Sequence, residues 1–197
     1  MIDTIQLYSK EIEKYITELA QLRMEVFYEF PYLYEGSLEY EKKYLSRYIS
    51  ASDSMVVLLK DGDKVIGMSS CLPLEEEEEA FRKPFENEKI DISKVMYFGE
   101  SIIKKEYRGH GLGKEFFSLR ERHAKRVVQN LLFTAFCAVE REKDHPLRPM
   151  NYRALDKFWK SQGYEKNQNL KVLYPWCDRG EELESYKSLS FWLKNWS

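Results

Sequence analysis

Little in this sequence points to a membrane or nucleic-acid partner. Its 197 residues include 31 basic and 33 acidic side chains, so the net charge of -2 provides no general excess of positive charge for polyanion binding. The chain has no run of about 18 apolar residues, and no basic segment leads into an apolar one near its start. We therefore expect a cytoplasmic protein with no nucleic-acid and no membrane partner, in which any anion site is local.

Cysteine and histidine are equally scarce. Cys71, Cys137 and Cys177 are odd in number and far apart in sequence, which indicates reduced thiols rather than a disulfide framework. The three histidines form no cluster with them, so we expect no bound metal.

Apolar residues, in contrast, are sufficient for one substantial core. Hydrophobic residues make up 43% of the chain, which favours a single domain over residues 1–197. Strand patterns and helical periodicity alternate along it, and this predicts a mixed α/β fold. Strands are predicted at 2–8, 55–59, 65–72, 95–103, 131–139, 171–174 and within 186–193, and helices at about 12–30, 38–49, 112–127 and 151–162.

The most informative segment is a glycine-rich turn between a predicted strand and a predicted helix. Gly109, Gly111 and Gly113 fall within five residues, directly before the helix. Glycine accepts positive φ and lets a ligand approach the backbone closely, while a helix N-terminus offers unpaired N–H groups and a positive dipole end. This arrangement predicts a phosphate-binding loop.

Spacing distinguishes this loop from two other phosphate loops. Lys114 is followed by Glu115, so no Walker A motif is present, and the glycine series does not fit the dinucleotide fingerprint either. The residues instead spell R-x-x-G-x-G from Arg108 to Gly113. This pattern resembles the pyrophosphate-binding motif of the GNAT superfamily, the GCN5-related N-acetyltransferases that bind acetyl-coenzyme A.

A second segment carries the same resemblance. Residues 151–164 begin with N-x-x-A at Asn151, contain the aromatic pair Phe158 and Trp159, and close with Gly163-Tyr164, similar to the second GNAT motif. The predicted order of elements also matches that family, and the chain is similar to its uncharacterised stand-alone members. The resemblance implies an α/β (α+β) fold with a mixed central sheet of six to seven strands flanked by helices, in which strands 4 and 5 splay into a V-shaped notch.

The resemblance also implies acetyl-CoA as co-substrate and no metal. Backbone groups of residues 101–103 would pair with pantetheine, amides of residues 108–114 would hold the pyrophosphate, and Arg108 would add charge. Asn151 would touch the acyl-pantetheine arm, cap the helix that follows it, or do both. The expected cofactor-binding residues are Ser101, Ile102, Ile103, Arg108, Gly109, His110, Gly111, Leu112, Gly113, Lys114 and Asn151.

The implied reaction is direct attack of a primary amine on the thioester, which requires a base and an acid. Glu100 is the expected base because it interrupts an apolar strand near the notch; alternatively, it faces solvent or pairs with a lysine. Glu140 is a second candidate. The family's acid is a tyrosine in the second motif, but Phe158 or Trp159 stands there, so Tyr152 is the expected substitute.

Several further points remain open on the sequence. Cys137 could carry the acyl group covalently, although its apolar neighbours favour a packed core thiol. Tyr28, Glu29 and Tyr32 are expected to bind the acceptor, a small-molecule or peptide amine, because aromatic rings and carboxylates suit a cation. The glutamates at 75–79 could steer a basic substrate, although such a run more often forms a solvated helix face. A non-catalytic acyl-CoA-binding module is the alternative function, and the protein could be a monomer or a homodimer.

Overall fold

The computed structural model describes all 197 residues and has seven β-strands and five α-helices. The strands are β1 (Ile2–Tyr8), β2 (Met55–Asp61), β3 (Lys64–Pro73), β4 (Val95–Ile103), β5 (Phe133–Val139), β6 (Glu165–Trp176) and β7 (Ser185–Asn195). The helices are α1 (Ile16–Phe27), α2 (Leu38–Ser50), α3 (Glu79–Asn87), α4 (Leu112–Val127) and α5 (Asp156–Ser161). No helix is both long enough and apolar enough to cross a membrane.

All seven strands belong to one mixed sheet in the order β1-β2-β3-β4-β5-β7-β6. Every neighbouring pair is antiparallel except β4 and β5, which run parallel. The β2–β3 hairpin turns at Gly62, whose positive φ of 58° suits glycine. The predicted fold class, with helices flanking a mixed sheet, is confirmed.

Strands β4 and β5 separate after a short stretch of pairing. Their register runs only from Val95 opposite Phe133 to Tyr97 opposite Ala135. Beyond these residues β4 continues along β3 as far as Ile103, while β5 continues along β7 to Val139. The two strands therefore diverge into the predicted V-shaped notch, and the edge of β4 that faces β5 has no strand partner there.

A β-bulge lies where the notch opens. Ser70 on β3 stands opposite both Gly99 and Glu100 on β4, and an extra residue of this kind bends the strand that carries it. Arg120 of α4, which is 2% exposed, donates to the carbonyl oxygens of Ser70 (3.3 Å) and Glu100 (3.1 Å). Buried carbonyls that the irregular register leaves available thus gain a donor, which stabilises the bend.

The core has two parts, one on each face of the sheet. In one part, α1 and α2 contribute the buried residues Leu19, Leu45 and Tyr48, and in the other, α4 contributes Phe116 and Phe117. Fully burying one such side chain contributes about 1.5–3 kcal/mol relative to leaving it in water. These layers hold the sheet, and with it the notch, between helices.

Two helix predictions are wrong at their N-terminal ends. Residues 9–15 form a 3₁₀ helix before α1, and α5 begins at Asp156 instead of residue 151. Tyr152 donates its N–H to the Pro149 oxygen at 2.9 Å in a turn, and its ring packs edge-on against Phe30. These contacts hold the chain outside the helix, so exposed Asn151 caps no helix and Leu155 takes the N-cap position.

Candidate active site

The glycine turn between β4 and α4 has the backbone geometry of an anion site. Gly109 and Gly111 have φ values of +89° and +82°, and a Cβ atom at either position would meet nothing within 4 Å. Glycine is therefore required there by backbone conformation and not by packing. Gly111 is also the N-cap of α4, a helix of 16 residues.

Five successive amides in this turn donate to no protein group. The N–H groups from Gly109 to Gly113 have no acceptor in the protein, whereas the Lys114 N–H donates to the Gly111 oxygen at 2.9 Å. Unpaired amides at a helix N-terminus, on glycine backbone that a ligand can approach, match the needs of a pyrophosphate. The residues present thus fit the CoA diphosphate that the family resemblance implies.

The sequence predicts that Arg108 binds the cofactor and that Glu29 binds the acceptor, but the two side chains contact each other. The Arg108 guanidinium donates to both Glu29 oxygens at 2.8 and 3.2 Å, and its Nε donates to the Ile103 oxygen at 2.8 Å. In this structure the arginine therefore ties the end of β4 to the segment after α1. His110 and Lys114 are exposed beside it.

The other predicted cofactor residues lie along the end of β4. Ser101, Ile102 and Ile103 pair with β3 through Ser69, Met68 and Gly67, and their opposite edge faces the notch. An extended chain such as pantetheine can add to a free edge of this kind by hydrogen bonding. The unpaired amides of Gly109 to Gly113, which we call the amide cradle, follow this edge along the chain.

Glu100 lies inside the protein, so the alternative that it faces solvent is wrong. Its side chain is 3% exposed, and its two oxygens accept from the Arg23 guanidinium and the Ser70 hydroxyl. Arg23 is shared with Glu41, which is fully buried on α2. Burial by itself lowers the pKa of Arg23, but the carboxylates of Glu100 and Glu41 outweigh it and raise that pKa. The partner is an arginine, not the lysine considered as an alternative.

A cavity of about 110 Å³ opens beside Glu100 at the notch. Gly99 and Glu100 line it from β4, and Cys137 lines it from β5. Most of the remaining wall is aromatic, including Phe27, Tyr32, Tyr44, Phe81, Tyr97 and Trp176. A site of this composition excludes water around the carboxylate and suits a cation with an apolar body.

Of the three predicted acceptor residues, only Tyr32 lines this cavity. Tyr28 is exposed, with the Arg179 guanidinium 4.8 Å from its ring centre, and Glu29 is paired with Arg108. Sequence reasoning missed Arg23, although a signal existed. Arg23 falls four residues after Leu19 on the apolar stripe of α1, where a charged residue implies a buried partner.

Two cavity residues bear on the covalent alternative. The Tyr97 hydroxyl and the Cys137 thiol are hydrogen-bonded at 3.1 Å. Burial raises the pKa of Cys137 to about 12, so the thiol keeps its proton at neutral pH. A protonated thiol is a poor nucleophile, which favours the interpretation of Cys137 as a packed residue.

The remaining acid and base candidates lie outside the cavity. The Tyr152 ring packs against Phe30, with the Arg148 guanidinium 4.9 Å from its centre. Phe158 and Trp159 pack into the core under α4. Partial burial favours the neutral form of Glu140, but hydrogen bonds from Lys166 and Ser190 and the nearby lysine charges lower its pKa to about 2. Glu140 is therefore a weak base.

The glutamates at 75–79 are not simply a solvated helix face. Arg47 of α2 pairs with Glu77 and Glu78, and Glu77 is only 4% exposed. Glu78 also accepts a hydrogen bond from the Tyr174 hydroxyl at 3.0 Å. The predicted solvated face is wrong for Glu77, which its pairing with Arg47 holds inside the protein, whereas Glu78 is paired but remains partly exposed.

We expect Glu77→Gln to change how stability depends on pH. Burial raises the pKa of Glu77 from 4.5 to about 7 and outweighs the attraction of Arg47. The folded protein therefore binds a proton that the unfolded chain releases near pH 4.5, and this contribution to stability is lost as pH rises through about 7. Between about pH 4.5 and pH 7, the free energy of unfolding of Glu77→Gln should therefore rise relative to that of the natural protein by about 1.4 kcal/mol per pH unit.

Urea unfolding of both proteins between about pH 5 and pH 8 measures this difference. Glu79→Gln, which removes an exposed neighbouring carboxylate, should show no such trend. A difference between Glu77→Gln and the natural protein that stays constant over this range would contradict the prediction.

The splayed parallel strands, the glycine-capped helix and the lined notch together define a class of protein, the acyl-CoA-dependent acetyltransferases. The model of the acetyltransferase (GNAT) family matches residues 16–147. The match covers more than half of the chain, so the chain belongs to this family, whose members generally use acetyl-CoA. No curated protein sequence matches the chain. No three His, Cys, Asp or Glu side chains are grouped so as to hold a metal ion.

Many solved structures share the fold at low sequence identity. The ribosomal-protein-alanine N-acetyltransferase of Brucella melitensis is 14% identical with a TM-score of 0.61, covering 100% of this chain and 99% of its own. Arabidopsis thaliana NAA60, solved with a bisubstrate analogue, is 11% identical with a TM-score of 0.60, covering all of both chains. Escherichia coli ElaA is 14% identical with a TM-score of 0.56, covering 99% of this chain and 100% of its own.

Proposed function

We propose that this protein transfers an acetyl group from acetyl-CoA to a primary amine that enters the aromatic cavity. One observation carries the proposal: the amide cradle, the unpaired edge of β4 and the buried carboxylate of Glu100 follow one another along a single strand and turn. A cofactor extended along this path would bring its acyl end to the cavity where Glu100 lies.

Different groups of the protein would bind different parts of the cofactor. The amides of Gly109 to Gly113 would hold the diphosphate, and the free edge at Ser101 to Ile103 would hold pantetheine. The bound thioester supplies the activated acyl group. Arg108, already paired with Glu29, would fix the end of β4 and add positive charge beside the diphosphate.

Glu100 would accept the proton that the ammonium group of the acceptor must lose. Arg23 and Ser70 hold the two oxygens of its carboxylate, which fixes the direction in which it can accept. The aromatic wall excludes water around the carboxylate and the bound amine. Tyr97, hydrogen-bonded to Cys137, is the hydroxyl we assign to the departing sulfur, in place of Tyr152.

A non-catalytic acyl-CoA-binding module is the second candidate. It is favoured by the absence of a tyrosine at the motif positions of Phe158 and Trp159, both of which pack into the core. The two candidates share the cofactor site and differ only in turnover.

The test is acetyl-CoA titration calorimetry followed by an assay of amine-dependent CoA release with a thiol reagent. We expect acetyl-CoA to bind, and CoA to be released only when a suitable amine is added. Binding without release for any amine would favour the module, and absence of binding would overturn both functions.

A further inference from the structure

One acidic centre contributes to the wall of the aromatic cavity, and a second is hydrogen-bonded to the lining residue Tyr174. At the inner centre Arg23 is shared by Glu41 and Glu100, and at the outer centre Arg47 is shared by Glu77 and Glu78. In each centre two carboxylates surround a single guanidinium. Each centre therefore has one excess negative charge when its carboxylates are ionised.

The ring of Tyr44 connects the two centres, and two of their buried carboxylate oxygens lack a well-formed hydrogen bond. The Tyr44 ring lies between the two guanidiniums, with Arg23 Cζ at 4.0 Å and Arg47 Cζ at 4.5 Å from its centre. Glu41 Oε1 and Glu77 Oε2 are buried and accept no hydrogen bond of ordinary geometry, although the Tyr34 hydroxyl lies close to the first carboxylate and the Glu78 backbone to the second. Buried carboxylate oxygens without donors are unfavourable, and a nearby cation would offset the uncompensated charge.

The cavity extends from one centre towards the other. Glu100 forms part of its inner wall, and Tyr40 and Tyr174 line it farther out, with hydroxyl oxygens 3.4 Å apart. The Tyr174 hydroxyl donates to Glu78, whose side chain is 39% exposed and therefore lies at the rim. Between these ends the wall includes the rings of Tyr44 and Phe81, which suit methylene groups and cations alike.

We propose that the acceptor is a short unbranched alkyl diamine, held with one nitrogen at Glu100 and the other ammonium group at Glu78, Tyr40 and Tyr174. This inference rests on the proposed function. The small volume of the cavity, about 110 Å³, favours a short acceptor. An acceptor carrying a carboxylate is disfavoured because Arg23, the only basic residue in the wall, is already shared by two glutamates.

The reaction balances with groups that are present. The inner ammonium group gives one proton to Glu100, and the resulting amine attacks the thioester carbonyl to form the new N–C bond. As the C–S bond breaks, the nitrogen loses its second proton, which reaches the departing sulfur by way of the Tyr97 hydroxyl, so that CoA leaves as the thiol; Glu100 then releases its proton to solvent. The products are the monoacetylated diamine, which keeps its outer ammonium group, and CoA. No oxidant or metal is needed.

The experiment compares CoA release with three acceptors at saturating acetyl-CoA: diaminobutane, butylamine and 4-aminobutyrate. For the natural protein we expect kcat/KM for diaminobutane to exceed that for butylamine by about 10- to 100-fold, the effect of one charge-assisted contact, and 4-aminobutyrate to be the poorest. Glu78→Gln should bring the diamine-to-monoamine ratio close to one. Glu79→Gln, its exposed neighbour in the same run, should leave the ratio unchanged.

Each outcome separates this inference from the proposed function. Equal turnover of diaminobutane and butylamine by the natural protein would overturn the diamine assignment but retain the acetyltransferase, and it needs no variant. A ratio that stays high in folded Glu78→Gln would also overturn the assignment of the outer site. Acetyl-CoA binding with no release for any acceptor would overturn the proposed function together with this inference.

Discussion

Glu100→Gln is expected to slow acetyl transfer by about 10²- to 10⁴-fold while acetyl-CoA binding persists. Glutamine keeps the shape of the side chain and can still contact Ser70, but it cannot accept the proton of the acceptor ammonium group. The cofactor contacts inferred for the turn at Gly109 to Gly113 lie on different residues. The measurement is CoA release at saturating acetyl-CoA, beside calorimetric titration of the same sample.

Glu41→Gln is the matched control because Glu41 shares Arg23 with Glu100 but does not line the cavity. Both substitutions remove one carboxylate from the same guanidinium. If Glu100 acts as the base, its variant should lose far more activity than Glu41→Gln. Equal losses in the two variants would reduce Glu100 to a structural partner of Arg23.

The parts of the site that the sequence predicted are those with a local cause. Strand β4 has its predicted bounds, and the turn follows because glycines at 109 and 111 can adopt the positive φ that precedes α4. The divergence of β4 from β5 came from the family resemblance, since no residue pattern in either strand encodes it. These elements depend on neighbouring residues or on a recurring fold.

The sequence did not predict contacts between residues that lie far apart along the chain. Arg23 and Glu100 are 77 residues apart, and only the packing of α1 against the sheet brings their side chains together. Arg47 draws in Glu77 across 30 residues, which overrides the usual solvation of a glutamate run. At α5, the contact of Tyr152 with Phe30 delays a helix that local propensity would begin at residue 151. In each case tertiary contacts outweigh the local pattern.

Gly111→Val is expected to weaken acetyl-CoA binding by at least about 10-fold, on the basis of one or two lost charge-assisted hydrogen bonds at about 1.5–3 kcal/mol each. The φ of +82° at this position is strained for any β-branched residue, so valine should force the turn into another conformation. The amides from Gly109 to Gly113 would then no longer converge. Because a Cβ at Gly111 meets no atom within 4 Å, core packing is not disturbed.

Gly180→Val provides the control for backbone strain in this experiment. Gly180 has a φ of +83° and equally open surroundings, but it lies between β6 and β7 and not in the turn before α4. Titration calorimetry with acetyl-CoA should show normal affinity for Gly180→Val and little or none for Gly111→Val. If both variants bind acetyl-CoA like the natural protein, the amides of Gly109 to Gly113 do not hold the diphosphate. Arg108→Ala in the same titration would then show whether diphosphate binding depends on that side chain instead.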